Sequence, residues 1–102
     1  MNTSIVSLNK IVGWNCVSRV IDNSDSSVGM KRLRVIFKNG YGISIIQGSW
    51  SYGGKDGLFE IAPLDKDGEL NGKLIGVDWD DVIGHLNESE VFDYARKISE
   101  MS

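Results

Sequence analysis

The chain has 102 residues, 41% hydrophobic and 25% charged, the proportions of one small domain with no length for a second core. A net charge of −3 gives no basic surplus for a phosphate backbone, which argues against nucleic acid as a partner. The single cysteine, Cys16, excludes an intrachain disulfide, and no apolar run is long enough to span a bilayer. The N-terminal MNTSIVSLNKIVGW has neither a basic start nor a continuous apolar stretch, so no secretion signal is expected and the protein should work inside a cell.

In chain order, residues 1–12 scatter Ile5, Val6, Leu8, Ile11 and Val12 among polar residues and read as an edge strand or a short helix. From Trp14 to Ile21 the pattern alternates, with Trp14, Cys16 and Val20 on one side and Val17 and Ile21 on the other. The run 22-DNSDSSVG-29 consists of turn formers and predicts a loop. Next, 32-RLRVIFKNGYGISIIQ-47 predicts a hairpin: Asn39-Gly40 between β-branched runs is the signature of a two-residue type I′ turn. Such a turn sets Lys38 opposite Tyr41, Ile36 opposite Ile43, Arg34 opposite Ile45 and Arg32 opposite Gln47. Phe37, Val35, Leu33 and Ile46 then form the core face. Ile36, Tyr41, Ile43 and Ile45 form a second face, too apolar to be the solvated side of an antiparallel sheet. These four residues are therefore expected to build the interface of a homodimer.

Further on, 58-LFEIAPL-64 predicts a third strand, placed at an edge or ending at Pro63, which cannot donate to a ladder. Asp67-Gly68 and Asn71-Gly72 predict turns. In 78-DWDDVIGHL-86, Trp79, Val82, Ile83 and Leu86 follow helical spacing, with Asp78 as N-cap and Asp80 and Asp81 in the first turn. Asn87 and Glu90 spell a capping box and Leu86 and Val91 a hydrophobic staple; Val91, Tyr94, Ala95, Ile98 and Met101 make an apolar stripe. Strands first and helices last predict a single α+β domain over 1–102. Its antiparallel sheet has three to five strands around a central Asn-Gly hairpin, packed by one or two C-terminal helices.

Catalytic chemistry has little to stand on. His85 is the only histidine, so neither a zinc site nor a histidine-based triad can be assembled from this sequence. Cys16 would need His85 as its activating base, far away in the chain. Asp78, Asp80 and Asp81 would suit a divalent cation and a phosphodiester or nucleotide hydrolase, but helix N-terminal acids are the commoner explanation. The stretch 65-DKDGEL-70 lacks the ligand spacing of a calcium loop and reads as a hairpin turn. No catalytic residue, metal or cofactor is expected.

One stretch has the composition of a contact surface. In 47-QGSWSYGGKDGLFE-60, Trp50 and Tyr52 offer aromatic faces, Gly53 and Gly54 allow close approach to the main chain, and Lys55 supplies a positive charge. Either these residues hold a ligand or partner, or they form a connection whose aromatics pack back on the sheet. The loop exceeds the two to five residues usual in hairpins, which favours contact.

The series NGYGISII, SYGGKDGLFEIAPLDKDGEL and DDVIGHLNESEV resembles a group of small accessory proteins of tailed bacteriophages. The resemblance covers roughly residues 36 to 91. Its most specific part is a SYGG-GL-E-A-LD-DG block, matched here by Ser51, Tyr52, Gly53, Gly54, Gly57, Leu58, Glu60, Ala62, Leu64, Asp65, Asp67 and Gly68. Pro63 departs from the pattern, which has a β-branched residue there. The resemblance implies a phage origin, expression in the host cytoplasm, and no particular reaction. The expectation is a non-enzymatic binding protein acting in the infected cell, countering host defence by binding a host protein or sequestering a small nucleotide signal. A metal-dependent hydrolase and a minor virion component are the alternatives.

Overall fold

Five strands pair in sequence order into one antiparallel sheet: β1 (Val17–Asp22), β2 (Lys31–Phe37), β3 (Gly42–Gln47), β4 (Phe59–Leu64) and β5 (Ile83–Leu86). The structure, a computed structural model, describes residues 11, 14–24, 31–47, 58–77 and 80–101. A 3-10 helix (Gly72–Ile75) bridges β4 and β5, and the C-terminal helix (Glu88–Ser99) crosses one face of the sheet. The α+β expectation holds, with five strands and one C-terminal helix.

The central hairpin forms, but not with a two-residue turn. Gly40 N–H donates to the Phe37 carbonyl at 3.0 Å and Phe37 N–H to the Tyr41 carbonyl at 2.8 Å, so Lys38, Asn39 and Gly40 all lie in the loop. Gly40 takes a φ of +93° and Asn39 does not turn left-handed, the geometry of a type I turn closed by a left-handed glycine. The reason lies in the Asn39 amide. Its Nδ2 donates to the Ile98 carbonyl at 2.8 Å and the Met101 carbonyl at 3.0 Å, while its Oδ1 accepts from Tyr41 N–H at 3.0 Å. Asn39 thus caps the end of the helix instead of supplying a positive φ.

The pairing register moves by one residue as a result. Val35 lies opposite Ile43, Leu33 opposite Ile45, Arg34 opposite Ser44 and Arg32 opposite Ile46. Because side chains alternate, a one-residue shift exchanges the faces of one strand relative to the other. Val35, Phe37, Ile43 and Ile45 therefore point together to the core, where Phe59, Ile61 and Leu86 join them from β4 and β5. Val91, Ala95 and Ile98 of the helix close this core from above, and Ile11 is buried in it.

The C-terminal helix starts as its sequence predicts. Glu90 N–H donates to Asn87 Oδ1 at 2.9 Å and Asn87 N–H donates to Glu90 Oε1 at 3.0 Å, completing the capping box. Of the helix expected over 78–86, the described residues 80–86 form none. Residues 83–86 are a strand, because the free side of β4 offers Phe59 and Ile61 as partners for Leu86 and Ile83. Ladder bonds and core burial outweigh a helical spacing that covers barely two turns. The pairing skips a residue on β5, and His85 takes a φ of +60° there, a conformation His tolerates better than most side chains. Asp78 and Trp79 lie outside the described residues. Asp81 Oδ1 accepts from Gly72 N–H at 3.0 Å and Asp80 Oδ1 from Asp81 N–H at 2.7 Å, so both carboxylates shape a turn rather than a helix start.

β4 is interior where it faces β5, so the edge alternative for that strand is corrected. Pro63 sits past the last β5 pair, and its carbonyl accepts from Asn71 N–H at 2.9 Å, so its missing N–H breaks no bond to β3. The Asp65–Gly68 turn forms as expected, with Gly68 at φ +82° and Asp65 Oδ1 accepting from both Asp67 and Glu69 N–H. In β1 an extra residue between Val17 and Arg19 turns Val17 toward the core, against the side predicted from simple alternation.

Two substitutions test these joints. Asn39→Ala removes the amide donor to the Ile98 and Met101 carbonyls and the acceptor for Tyr41 N–H, and urea unfolding should show a loss of about 1–3 kcal/mol. Gly72→Ala drives a Cβ into the Asp80 carbonyl and the Asp81 backbone, neither of which can rotate away, and should lower stability by about 1–3 kcal/mol.

Candidate functional site

The sheet face opposite the helix carries the charge. Cross-strand pairing aligns Ile21, Arg34, Ser44 and Ala62 in one row over β1 to β4, and Arg32, Ile46 and Glu60 in a second row beside it. Arg19, opposite Ile36, extends the same face. Three of the chain's four arginines thus share one face with a single described carboxylate, Glu60, in a protein whose net charge is −3.

Between these rows lies a cleft of about 420 Å³, in the size range of small-ligand sites. Its floor is narrow-waisted because Ser44 and Ala62, at 3% and 4% exposure, are the small residues of the central strands. Ile21 and Ile46 line it on either side of β2, and Leu70 and Val82 line it beyond β4. Leu70, 42% exposed, is the one large hydrophobic residue left exposed among the described residues.

Arg32 and Arg34 both reach into this cleft from β2, their Cα atoms two residues, or about 7 Å, apart along the strand. Neither guanidinium makes a hydrogen bond or an ion pair among the described residues, and Arg32 Nε is buried. The Arg32 backbone is held from the other side: its N–H donates to Ser24 Oγ at 3.0 Å, and that hydroxyl donates to the Arg32 carbonyl at 3.4 Å. Ser24 N–H in turn donates to Asp22 at 2.9 Å, which holds the Asp22 carboxyl below its ordinary pKa. The turn leaving β1 is therefore latched to the strand that presents both arginines.

The residues singled out in the sequence fall differently. Trp50, Tyr52, Gly53, Gly54 and Lys55 lie outside the described residues. Their flanks are fixed: Ile46 opposite Glu60, the last β3–β4 pair before that segment, lines the cleft. Ile36, Tyr41, Ile43 and Ile45 do not form one face, which corrects the expected dimer interface. Ile43 and Ile45 are buried at 0% and 2% exposure within a single chain, and Tyr41 packs at the margin of the same core beneath the Lys66 ammonium. Ile36 points to the opposite side, beside Gly42. The one-residue register shift alone accounts for this.

Cys16 precedes β1 at one edge of the sheet and His85 lies on β5 at the other, so the two cannot act together. His85 is exposed on a strand rather than at a helix end. Among the described residues no three His, Cys, Asp or Glu side chains are grouped to hold a metal. The sequence places Arg32 and Arg34 on the second hairpin face but does not mark them, or Ser44, as a site, although 32-RLR-34 already sets both arginines on one side of a strand. No family model, curated protein or solved structure matches the chain.

Ile43→Arg separates an interface position from a core position. An unpaired charge in this core costs several kcal/mol, comparable with the whole stability of a small domain. Circular dichroism should show loss of the cooperative transition; a folded Ile43→Arg protein with a halved mass by light scattering would restore the interface assignment.

Proposed function

We propose that the protein is a non-enzymatic binding protein that sequesters a small anionic, nucleotide-like signal. On the strength of its resemblance to tailed-phage accessory proteins, its setting is the cytoplasm of the infected host, where removal of such a signal would blunt a defence response. The observation that carries the binding reading is the pair of guanidinium groups, Arg32 and Arg34, without a partner among the described residues and facing a cleft of ligand size. Cations left without a partner in a half-enclosed site favour an anion. The face has apolar walls and no aromatic side chain among its described lining residues, which suits a compact ligand better than a stacked polynucleotide strand. Trp50, Tyr52, Gly53, Gly54 and Lys55 belong to this proposal as a second contact, since in sequence they fall between Ile46 and Glu60, a pair that lines the cleft.

Calorimetry against a panel of nucleoside mono-, di- and cyclic phosphates tests the proposal. At least one should bind with micromolar or better affinity, and Trp50→Ala or Lys55→Ala should weaken it about tenfold, roughly 1.4 kcal/mol, with the fold unchanged. Co-purification of a stoichiometric host protein, with no nucleotide bound, would replace sequestration by the protein-blocking alternative.

A further inference from the structure

We propose that the Arg32–Arg34 cleft recognises a phosphate monoester, held by both guanidinium groups and the Ser44 hydroxyl, with the rest of the ligand lying on the apolar walls. This inference rests on the sequestration reading above and assigns it a place and a chemical group.

Donor geometry comes first. Arg34 lies directly opposite Ser44 in the β2–β3 pairing, and Arg32 projects from the same face one pleat away. The Ser44 side chain makes no hydrogen bond among the described residues, although the residue is only 3% exposed. Two guanidinium forks and a hydroxyl thus line one cleft with donors unspent among the described residues. A carboxylate, with its two oxygens, would leave part of that set idle. The three terminal oxygens of a phosphate accept two forks and a hydroxyl together.

Charge points the same way. Two guanidinium groups on neighbouring same-face positions of one strand, with no partner among the described residues, repel each other in a site where water is partly excluded. A phosphate monoester carries about −1.5 to −2 at neutral pH, which neutralises the pair in a single group. Glu60, two strands from Arg32, is the single described carboxylate on this face, set against three arginines. Arginine rather than lysine occupies both positions, the side chain whose planar fork fits phosphate in two-point contact.

Shape sets the remainder. Ile21 on β1 and Ile46 on β3 flank the two arginines, while Leu70 and Val82 lie beyond β4, at the end of the cleft away from β2. A free phosphate ion would use only the charged end. A phosphorylated molecule with an apolar body fills both, and bodies of this kind bury the exposed Leu70 side chain.

The test uses the full chain, inorganic phosphate and a series of nucleoside 5′-monophosphates, followed by calorimetry and by amide shifts of Arg32, Arg34 and Ser44. Monophosphates should bind at least tenfold more tightly than inorganic phosphate, which should compete with them. Arg32→Gln and Arg34→Gln should each weaken the monophosphate at least tenfold, and Ser44→Ala about threefold, while melting temperatures stay at or above that of the parent. Equal affinity for inorganic phosphate and monophosphates would remove the apolar part of the assignment. Unchanged monophosphate binding in both arginine variants would move the ligand off this cleft and overturn the inference, leaving sequestration standing. If no phosphorylated compound in the wider panel binds the unaltered protein, both the inference and the reading it rests on fall.

Discussion

The register between β2 and β3 governs everything else in this fold. With Val35 opposite Ile43, one side of the sheet receives Val35, Phe37, Ile43 and Ile45, and the other receives Arg32, Arg34, Ser44 and Ile46. Burying each large apolar side chain contributes about 1.5–3 kcal/mol, so the four on the core side together rival the net stability of a small domain. The alternative register would bring Ile43 and Ile45 onto the side of Arg34 and Ile36, leaving the helix nothing coherent to cover. Asn39 makes the difference: it stays out of the left-handed region while Gly40 alone enters it, which lengthens the loop to three residues.

Both ends of the C-terminal helix are tied to the sheet by side chains. At its start, the reciprocal Asn87–Glu90 bonds satisfy two otherwise orphaned N–H groups, while Leu86 leads directly out of β5 into the core. Near its end, Asn39 reaches across from the central hairpin to the carbonyls of Ile98 and Met101. Arg96 adds a flank contact, its guanidinium 4.6 Å from the centre of the Trp14 ring, with Phe92 packed at 6.4 Å on the same indole. The helix therefore joins the turn before β1, the hairpin and the last strand into one body, and leaves the other side of the sheet to the arginines.

The sequence shows the elements that depend on local chemistry and hides those that depend on partners. The capping box at Asn87, the Asp65–Gly68 turn and the stripe Val91, Ala95 and Ile98 are legible because neighbouring residues alone decide them. The hairpin at Asn39-Gly40 is legible as a hairpin but not in its register, because what Asn39 does depends on carbonyls 59 and 62 residues away. The strand at 83–86 is read as a helix for a similar reason: its apolar spacing fits both, and only the open side of β4 chooses between them. The paired arginines needed the correct register before they could be seen as a site. Read one residue out, Arg34 stands beside Ile45 and looks like the decoration of an interface.

The irregular borders of the sheet limit how this protein can be recognised. β1 carries an extra residue between Val17 and Arg19, and β5, four residues long, carries another around the left-handed His85. Each breaks the even row of N–H and C=O groups that an incoming strand would need. Recognition by strand addition, the commonest way for a peptide to read an exposed sheet, is therefore disfavoured at both borders. With one broad surface committed to the helix, selective contact is channelled onto the opposite one. There, side-chain chemistry rather than backbone geometry has to supply the discrimination.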